Sequence, residues 1–309
     1  MIRYLCKRLL AIIPVGLGVT FIIFSLLYIT PGDPARLALG EDATEEALME
    51  WRHEYGLDRP FITRYGLFVY NAVVHQDMGR SYMTRRPVTG ELNNAFPITI
   101  DLSIGAIIIA TALGLGFGII CAIKQYSIFD NVCMIFAMLG ISVPLFYLGI
   151  LLILWFSVRL RWLPSSGFTT FSEKILPWIT LAANSMAIIT RMTRSSMLEV
   201  IHSDYVRTAR AKGQKESIVI LRHALKNALI PIITIVGIQF GFLLGGSILT
   251  ESVFSIPGVG RLAVDAIKAR DYPIVQGAVV YIAISYVFIN LLVDMLYAWV
   301  DPRLRTRYR

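Results

Sequence analysis

Six stretches of this sequence carry no formal charge over lengths that a soluble helix does not need, and polar segments separate them. Residues 9–32 give 24 uncharged positions, 102–123 give 22 and 131–158 give 28. Residues 175–190 give 16, 227–250 give 24 and 272–293 give 22. A hydrocarbon core of about 30 Å takes roughly 20 helical residues at about 1.5 Å each, so five runs suffice alone. The fourth lengthens past Arg191 and Arg194, whose aliphatic stems let the charges reach the interface. The pattern predicts six membrane-spanning helices over 9–30, 98–123, 131–158, 175–200, 228–250 and 274–299. The first is too long for a signal-peptide core, and Thr30-Pro31-Gly32-Asp33-Pro34 follows it in place of small residues. It is expected to stay as an anchor.

Between the first two runs, residues 31–97 form the one sizeable polar segment, an external helical insertion. Thr44 followed by Glu45 and Glu46 is a helix-start signal. Gly56 to Pro60 ends that helix, and 61–75 predict another. Glycines recur in the second span (Gly105, Gly114, Gly116, Gly118) and the fifth (Gly237, Gly241, Gly245, Gly246). Small residues four apart let membrane helices approach closely. Pro144 and Pro231 predict kinks or unwound turns.

Composition agrees with a membrane chain: 309 residues, 56% hydrophobic and 16% charged, with mean hydropathy +0.63. The net charge of +8 is uneven. Arg3, Lys7 and Arg8, eight basic residues in 191–227, and Arg303, Arg305, Arg307 and Arg309 all fall on one face of a six-span topology. By the positive-inside rule that face is the cytoplasm. Residues 33–97, with ten acidic and seven basic side chains, then lie outside. The basic excess is explained by topology, and no nucleic-acid-binding pattern accompanies it. Cys6, Cys121 and Cys133 make neither a disulfide framework nor zinc spacing, and His53 and His75 stand in no ligand pattern. No metal is expected. No phosphate-binding G-x-x-x-x-G-K-[ST] loop and no hydrolase or metalloprotease signature is present, so no catalytic residue is assigned.

The loop 191–227 is the segment built to touch something else. Ser203 and Asp204 suit the N-cap of a short helix over Tyr205–Lys212. Gly213, able to adopt positive φ, ends it. A second helix from Lys215 leads into the fifth span. Tyr205, Ala209 and Gly213 share one face, and the small Ala209 predicts a place where a partner surface approaches.

These residues resemble the permease subunits of bacterial ABC importers, whose cytoplasmic "EAA" loop holds a short coupling helix followed by glycine. Arg207-Thr208-Ala209 stands where Glu-Ala-Ala is usual, and Gly213 stands at the glycine. Of the Ile-x-Leu-Pro element only Leu225 is kept. Within that family the dipeptide, oligopeptide, glutathione and nickel permeases are more similar. The similarity is carried by RMTRSSMLEV (191–200), DYVRTARAKG (204–213), RHALKNALIP (222–231), TPGDPA (30–35), YGLDRP (55–60), LTESVFSIPGVGRL (249–262), RDYPIVQG (270–277) and NLLVDMLY (290–297).

The resemblance implies an all-α membrane protein with the type I ABC importer permease fold and six transmembrane helices. Its parts would be an N-terminal segment and first helix (1–30), the external insertion (31–97), the transmembrane domain (98–300) and a cytoplasmic tail (301–309). It implies a homologous second permease, two ATP-binding cassette subunits and an extracytoplasmic solute-binding protein as partners, in the bacterial inner membrane. ATP and Mg2+ would belong to the cassette subunits, with no cofactor on this chain. Coupling is expected at Tyr205, Arg207, Thr208, Ala209, Arg210 and Gly213, and a substrate path at Asp101, Ser142, Asn184, Gln239 and Glu251. Short peptides are the expected cargo, with nickel chelates or glutathione as alternatives. An ion-driven carrier with Asp294 as its proton site, and an intramembrane enzyme, are the readings from other classes.

Overall fold

The computed structural model describes residues 2–40 and 42–300, and the side chains of these apart from 2–12, 294 and 296–300. Asp294 as a side chain, the N-terminal basic residues and the tail arginines therefore lie outside the described residues. Thirteen helices follow in order among the described residues: α1 (Ile2–Ile29), α2 (Pro34–Leu39), α3 (Glu45–Glu54), α4 (Phe61–Tyr70), α5 (Val88–Ile123), α6 (Ile128–Ser142), α7 (Leu145–Leu152), α8 (Phe171–Ile201), α9 (Asp204–Ala211), α10 (Glu216–Ile218), α11 (Leu225–Val253), α12 (Val259–Ala269) and α13 (Tyr272–Val300). π-Helical turns extend α4 over Asn71–His75 and α7 over Ile153–Arg159, and Val219–Ala224 joins α10 to α11. The β-structure among the described residues is one isolated bridge, Arg80 with Pro87.

Four of these helices are long and apolar enough to cross a membrane: α5, α8, the continuous Glu216–Val253 helix, and α13 as far as Val293. The third expected span is not one helix. It is α6 and α7 with its π turns, bent by 106°. Pro144 drives this, because a residue before proline is pushed out of the helical region. Val143 is extended at φ −80° and ψ 124°, and α7 restarts directly after the proline. Pro231, by contrast, sits inside α11 with no break. In the first expected span, the described side chains form an apolar helix over Ile13–Ile29.

The chain divides into two compact units. One comprises residues 100–256 and the end of α13 from Phe288, and the other residues 2–99 and 257–287. In the first unit α5 lies close against α8. A Cβ on Gly105 would meet the Trp178 ring, on Gly114 Ile189, and on Gly118 Thr193 at 2.5 Å and the Thr190 carbonyl at 2.8 Å. These small residues set the helix separation, as their spacing predicts. α8 and α11 are joined by a buried hydrogen bond, the Ser185 hydroxyl donating to Gln239 Oε1 at 3.0 Å.

The second unit is built on a small aromatic core. Ala35, Leu48, Trp51, Tyr82 and Tyr272 are buried together, with Tyr55 stacked edge-on against Tyr82. Asp271 ties it: its buried carboxylate accepts from the Ser81 hydroxyl and from the Tyr82 amide at 3.0 Å. α3 starts as predicted, Thr44 Oγ1 accepting the Ala47 amide at 3.3 Å. α12 has no counterpart among the predicted elements. Its 11 residues hide between the fifth and sixth uncharged runs, where Arg261, Asp265 and Lys268 interrupt the apolar pattern.

Candidate coupling site

At Ser203 the backbone leaves α8 (φ −71°, ψ 152°), and the Ser203 hydroxyl donates back to the Val200 carbonyl at 2.6 Å. α9 then runs eight residues, starting with Asp204, an acid where the helix dipole favours one. Its inner face is Val206 and Ala209, one turn apart and both buried. They pack in one cluster with Met197 from the end of α8, Val219, Ile220 and Ala224 from the π turn, and Ala122 at the end of α5. Burying such side chains is worth about 1–3 kcal/mol each for the larger ones. The short helix is therefore fixed to its neighbours.

Ala209 is thus not a landing place for a partner. It is only 6% exposed, because its small side chain fills the space against the π turn. The outward surface belongs to Tyr205, Arg207 and Thr208. Tyr205 is 45% exposed. Arg207 is 76% exposed on its side chain and 4.0 Å from fully exposed Asp204. The Thr208 hydroxyl donates to the Asp204 carbonyl at 2.9 Å.

Arg210 reaches inward along the chain. It binds both oxygens of Glu216, with the closest contact at 2.8 Å, and its Nη1 reaches the Ile201 carbonyl at 3.5 Å. Gly213 has φ +74°, and its amide closes the end of α9 on the Arg210 carbonyl at 2.9 Å. A Cβ there would meet nothing within 4 Å. Glycine is required by the left-handed backbone rather than by crowding.

The five path candidates stand in different settings along the helices. Asp101 pairs with Lys174, and its carbonyl accepts Trp178 Nε1 at 3.3 Å. The Ser142 hydroxyl is spent on Met138 O at 2.9 Å. Asn184 is half-buried, and Gln239 is the buried partner of Ser185. Glu251 is fully buried. A cavity of about 540 Å³ between α5, α11 and the end of α13 is lined by apolar side chains with one hydroxyl, Thr111.

One ion pair was not anticipated. Asp130 in the first turn of α6 takes Arg194 of α8 in a two-pronged contact, both arms at 2.7 Å, and also accepts the Tyr126 amide at 3.0 Å. The Asp130 side chain is 1% exposed. Arg194 therefore does not reach out to an interface. Its partner lies 64 residues earlier, and the only local hint was an acid bordering a 28-residue apolar run. Among the described residues no group of three His, Cys, Asp or Glu is arranged to hold a metal.

Comparison with known proteins decides the family. The model of the binding-protein-dependent transport system inner membrane component matches residues 114–306, and its N-terminal companion matches 1–103. This chain belongs to that family. The permease is 45% identical over 305 residues to the glutathione transport system permease protein GsiC of Pectobacterium atrosepticum, covering 99% of each chain. It is 41% identical over 333 residues to the dipeptide transport system permease protein DppB of Alkalihalophilus pseudofirmus, covering 99% of this chain and 100% of the other. A chain of the inward-facing MetNI methionine ABC transporter shares the permease's fold at a TM-score of 0.59 and 18% identity, over 68% of this chain and 96% of that one.

Proposed function

We propose that this permease forms half of the translocation path of an ATP-driven importer for short peptides, and that α9 is where separate ATPase subunits drive it. Glutathione, itself a short peptide, is the alternative cargo favoured by the relatives' names. The remaining partners are a second homologous permease and an extracytoplasmic binding protein. In this reading six helices span the membrane, α6 and α7 together making the third, with both termini and the 191–227 loop in the cytoplasm. Segment 1–30 is the anchor, 31–97 the external insertion, 98–300 the transport domain and 301–309 the tail.

The observation that carries the coupling role is mechanical. α9 presents Tyr205, Arg207 and Thr208 outward. Behind them, Val206 and Ala209 are buried against the end of α8 and the root of α11. The Arg210–Glu216 pair braces the same joint. A push on α9 therefore moves α8 and α11 as packed rods, and those rods share the Ser185–Gln239 bond. Closure of two ATPases beneath such levers rocks the bundle between inward and outward access. Asp101, Asn184, Gln239, Glu251 and Ser142 are retained as path candidates only in whatever state that rocking opens.

The test is uptake of a labelled dipeptide and of glutathione by membrane vesicles holding the whole transporter. ATP-dependent uptake that persists when the proton gradient is collapsed supports the reading. Uptake that survives ATP removal and follows the gradient overturns it in favour of an ion-driven carrier.

A further inference from the structure

The segment 61–75 does not sit on top of the membrane helices; it runs back down beside one. Phe61 meets Tyr28 with ring centroids 5.1 Å apart, and Tyr65 meets Phe21 at 5.3 Å. The Tyr65 hydroxyl bonds the Leu17 carbonyl at 2.9 Å and lies 3.1 Å from Thr20 Oγ1. Further on, Phe68, Ala72 and Val73 line an apolar cavity of about 340 Å³ with Ile13, Gly16 and Leu17. Phe24 meets Phe61, Tyr65 and Phe68 in turn, the lowest direct contact on α1 is at Leu17, and the shared cavity lining extends to Ile13. The two helices are antiparallel neighbours. Fifteen α1 residues correspond to roughly 22 Å of helix, against a hydrocarbon core of about 30 Å.

The exposed side of the segment is mostly apolar, with Thr63, Asn71 and His75 also exposed and the His75 ring 5.5 Å from that of Tyr70. Ile62, Tyr70, Val73 and Val74 are 68%, 55%, 74% and 56% exposed. The one formal charge in the segment is Arg64 in the first turn, its guanidinium 5.6 Å above the Phe24 ring and lining the polar cavities on the opposite side. The return is handled as membrane depth requires, where irregular backbone must line protein or a polar cavity. Gln76 turns the chain at φ 52°, Asp77 Oδ1 takes the Gly79 amide at 2.8 Å, and both Asp77 and Gly79 line a polar cavity of about 280 Å³.

We propose that residues 61–75 are a re-entrant helix whose exposed face, centred on Tyr70 and Val73, lies against lipid acyl chains within the bilayer core. The inference rests on the reading of α1 as a membrane span. Acyl chains are favoured as the occupant because α1, against which the segment packs, also exposes large apolar side chains, Ile22 and Leu26 being 60% and 57% exposed. The segment therefore acts as a lipid-held wedge between the external insertion and the bilayer.

Single cysteines at Val73, Tyr70, Ile22 and Glu50, in a chain lacking Cys6, Cys121 and Cys133, carry a bimane label in the whole transporter reconstituted in nanodiscs. Quenching by spin-labelled lipid is compared with quenching by aqueous iodide. The expected result is lipid quenching at Val73 and Tyr70 like that at Ile22, with loss of the iodide quenching seen at Glu50. Iodide quenching at Val73 equal to that at Glu50, with Ile22 still lipid-quenched, overturns the wedge and leaves the span. Protection of Val73 from both quenchers also overturns it, because a protein then covers that face. Iodide quenching at Ile22 itself refutes the span instead.

Discussion

Gly213 holds its left-handed backbone in open space, so the effect of replacing it is separable from packing. Gly213→Ala carries only the left-handed penalty, about 1 kcal/mol, and is expected to lower the thermal midpoint slightly while α9 stays in place. A loss of expression would contradict that. Arg207 and Arg210 look alike in sequence and should behave differently. Arg210 is tied to Glu216, and with side chains 37% and 58% exposed the pair is worth at most about 1 kcal/mol. Arg210→Glu combined with Glu216→Arg should restore whatever Arg210→Glu loses in transport-coupled ATPase activity. Arg207→Glu gives up within the chain only the loose, exposed 4.0 Å approach to Asp204 and should weaken retention of the ATPase subunits on purification. In the external insertion, partial burial opposes ionisation of Asp33, but Arg52 and the Ala35 amide more than offset it and hold the carboxyl below its ordinary range. A carboxyl depressed on folding stabilises above its unfolded value, near pH 4, and loses that contribution as pH falls through the folded value. The difference in thermal midpoint between wild type and Asp33→Asn should therefore be present at neutral pH and vanish in acid. A difference that grows in acid would contradict the ion pair.

At the scale of elements, small residues and prolines decide how helices meet. Gly118 faces Thr193 and the Thr190 carbonyl so closely that Gly118→Val must part α5 from α8. Overpacking of this kind costs about 1–3 kcal/mol, read as a lower midpoint in detergent. Gly116, with nothing within 4 Å, should accept Ala with no loss of stability, since glycine is the less favourable residue inside a helix. The sequence made much of this legible. Uncharged runs located the long helices, Thr44 and its acids located α3, and Gly213 located the end of α9. What local pattern cannot carry is pairing across distance. Nothing near Asp130 announces Arg194, and nothing near Asp271 announces Ser81 and the Tyr82 amide. Helical spacing puts Ala209 on a face with Tyr205 but does not say which face is covered. Proline was legible at Pro144, where it follows an extended residue and breaks the helix, while Pro231 stands inside α11 without ending it.

Across the whole molecule, the family match and the helical architecture make this a membrane component of an importer, and the physical question is how work enters it. The chain's polar chemistry is spent on bracing: Arg194 on Asp130, Lys174 on Asp101, Ser185 on Gln239. Such a molecule transmits force well. The most direct measurement is to place a photo-crosslinking benzoylphenylalanine at Tyr205 in the assembled transporter and irradiate it. The account predicts a covalent adduct with an ATPase subunit, absent when the same group stands at Glu50. No adduct from Tyr205, or an adduct with the extracytoplasmic binding protein, would contradict it.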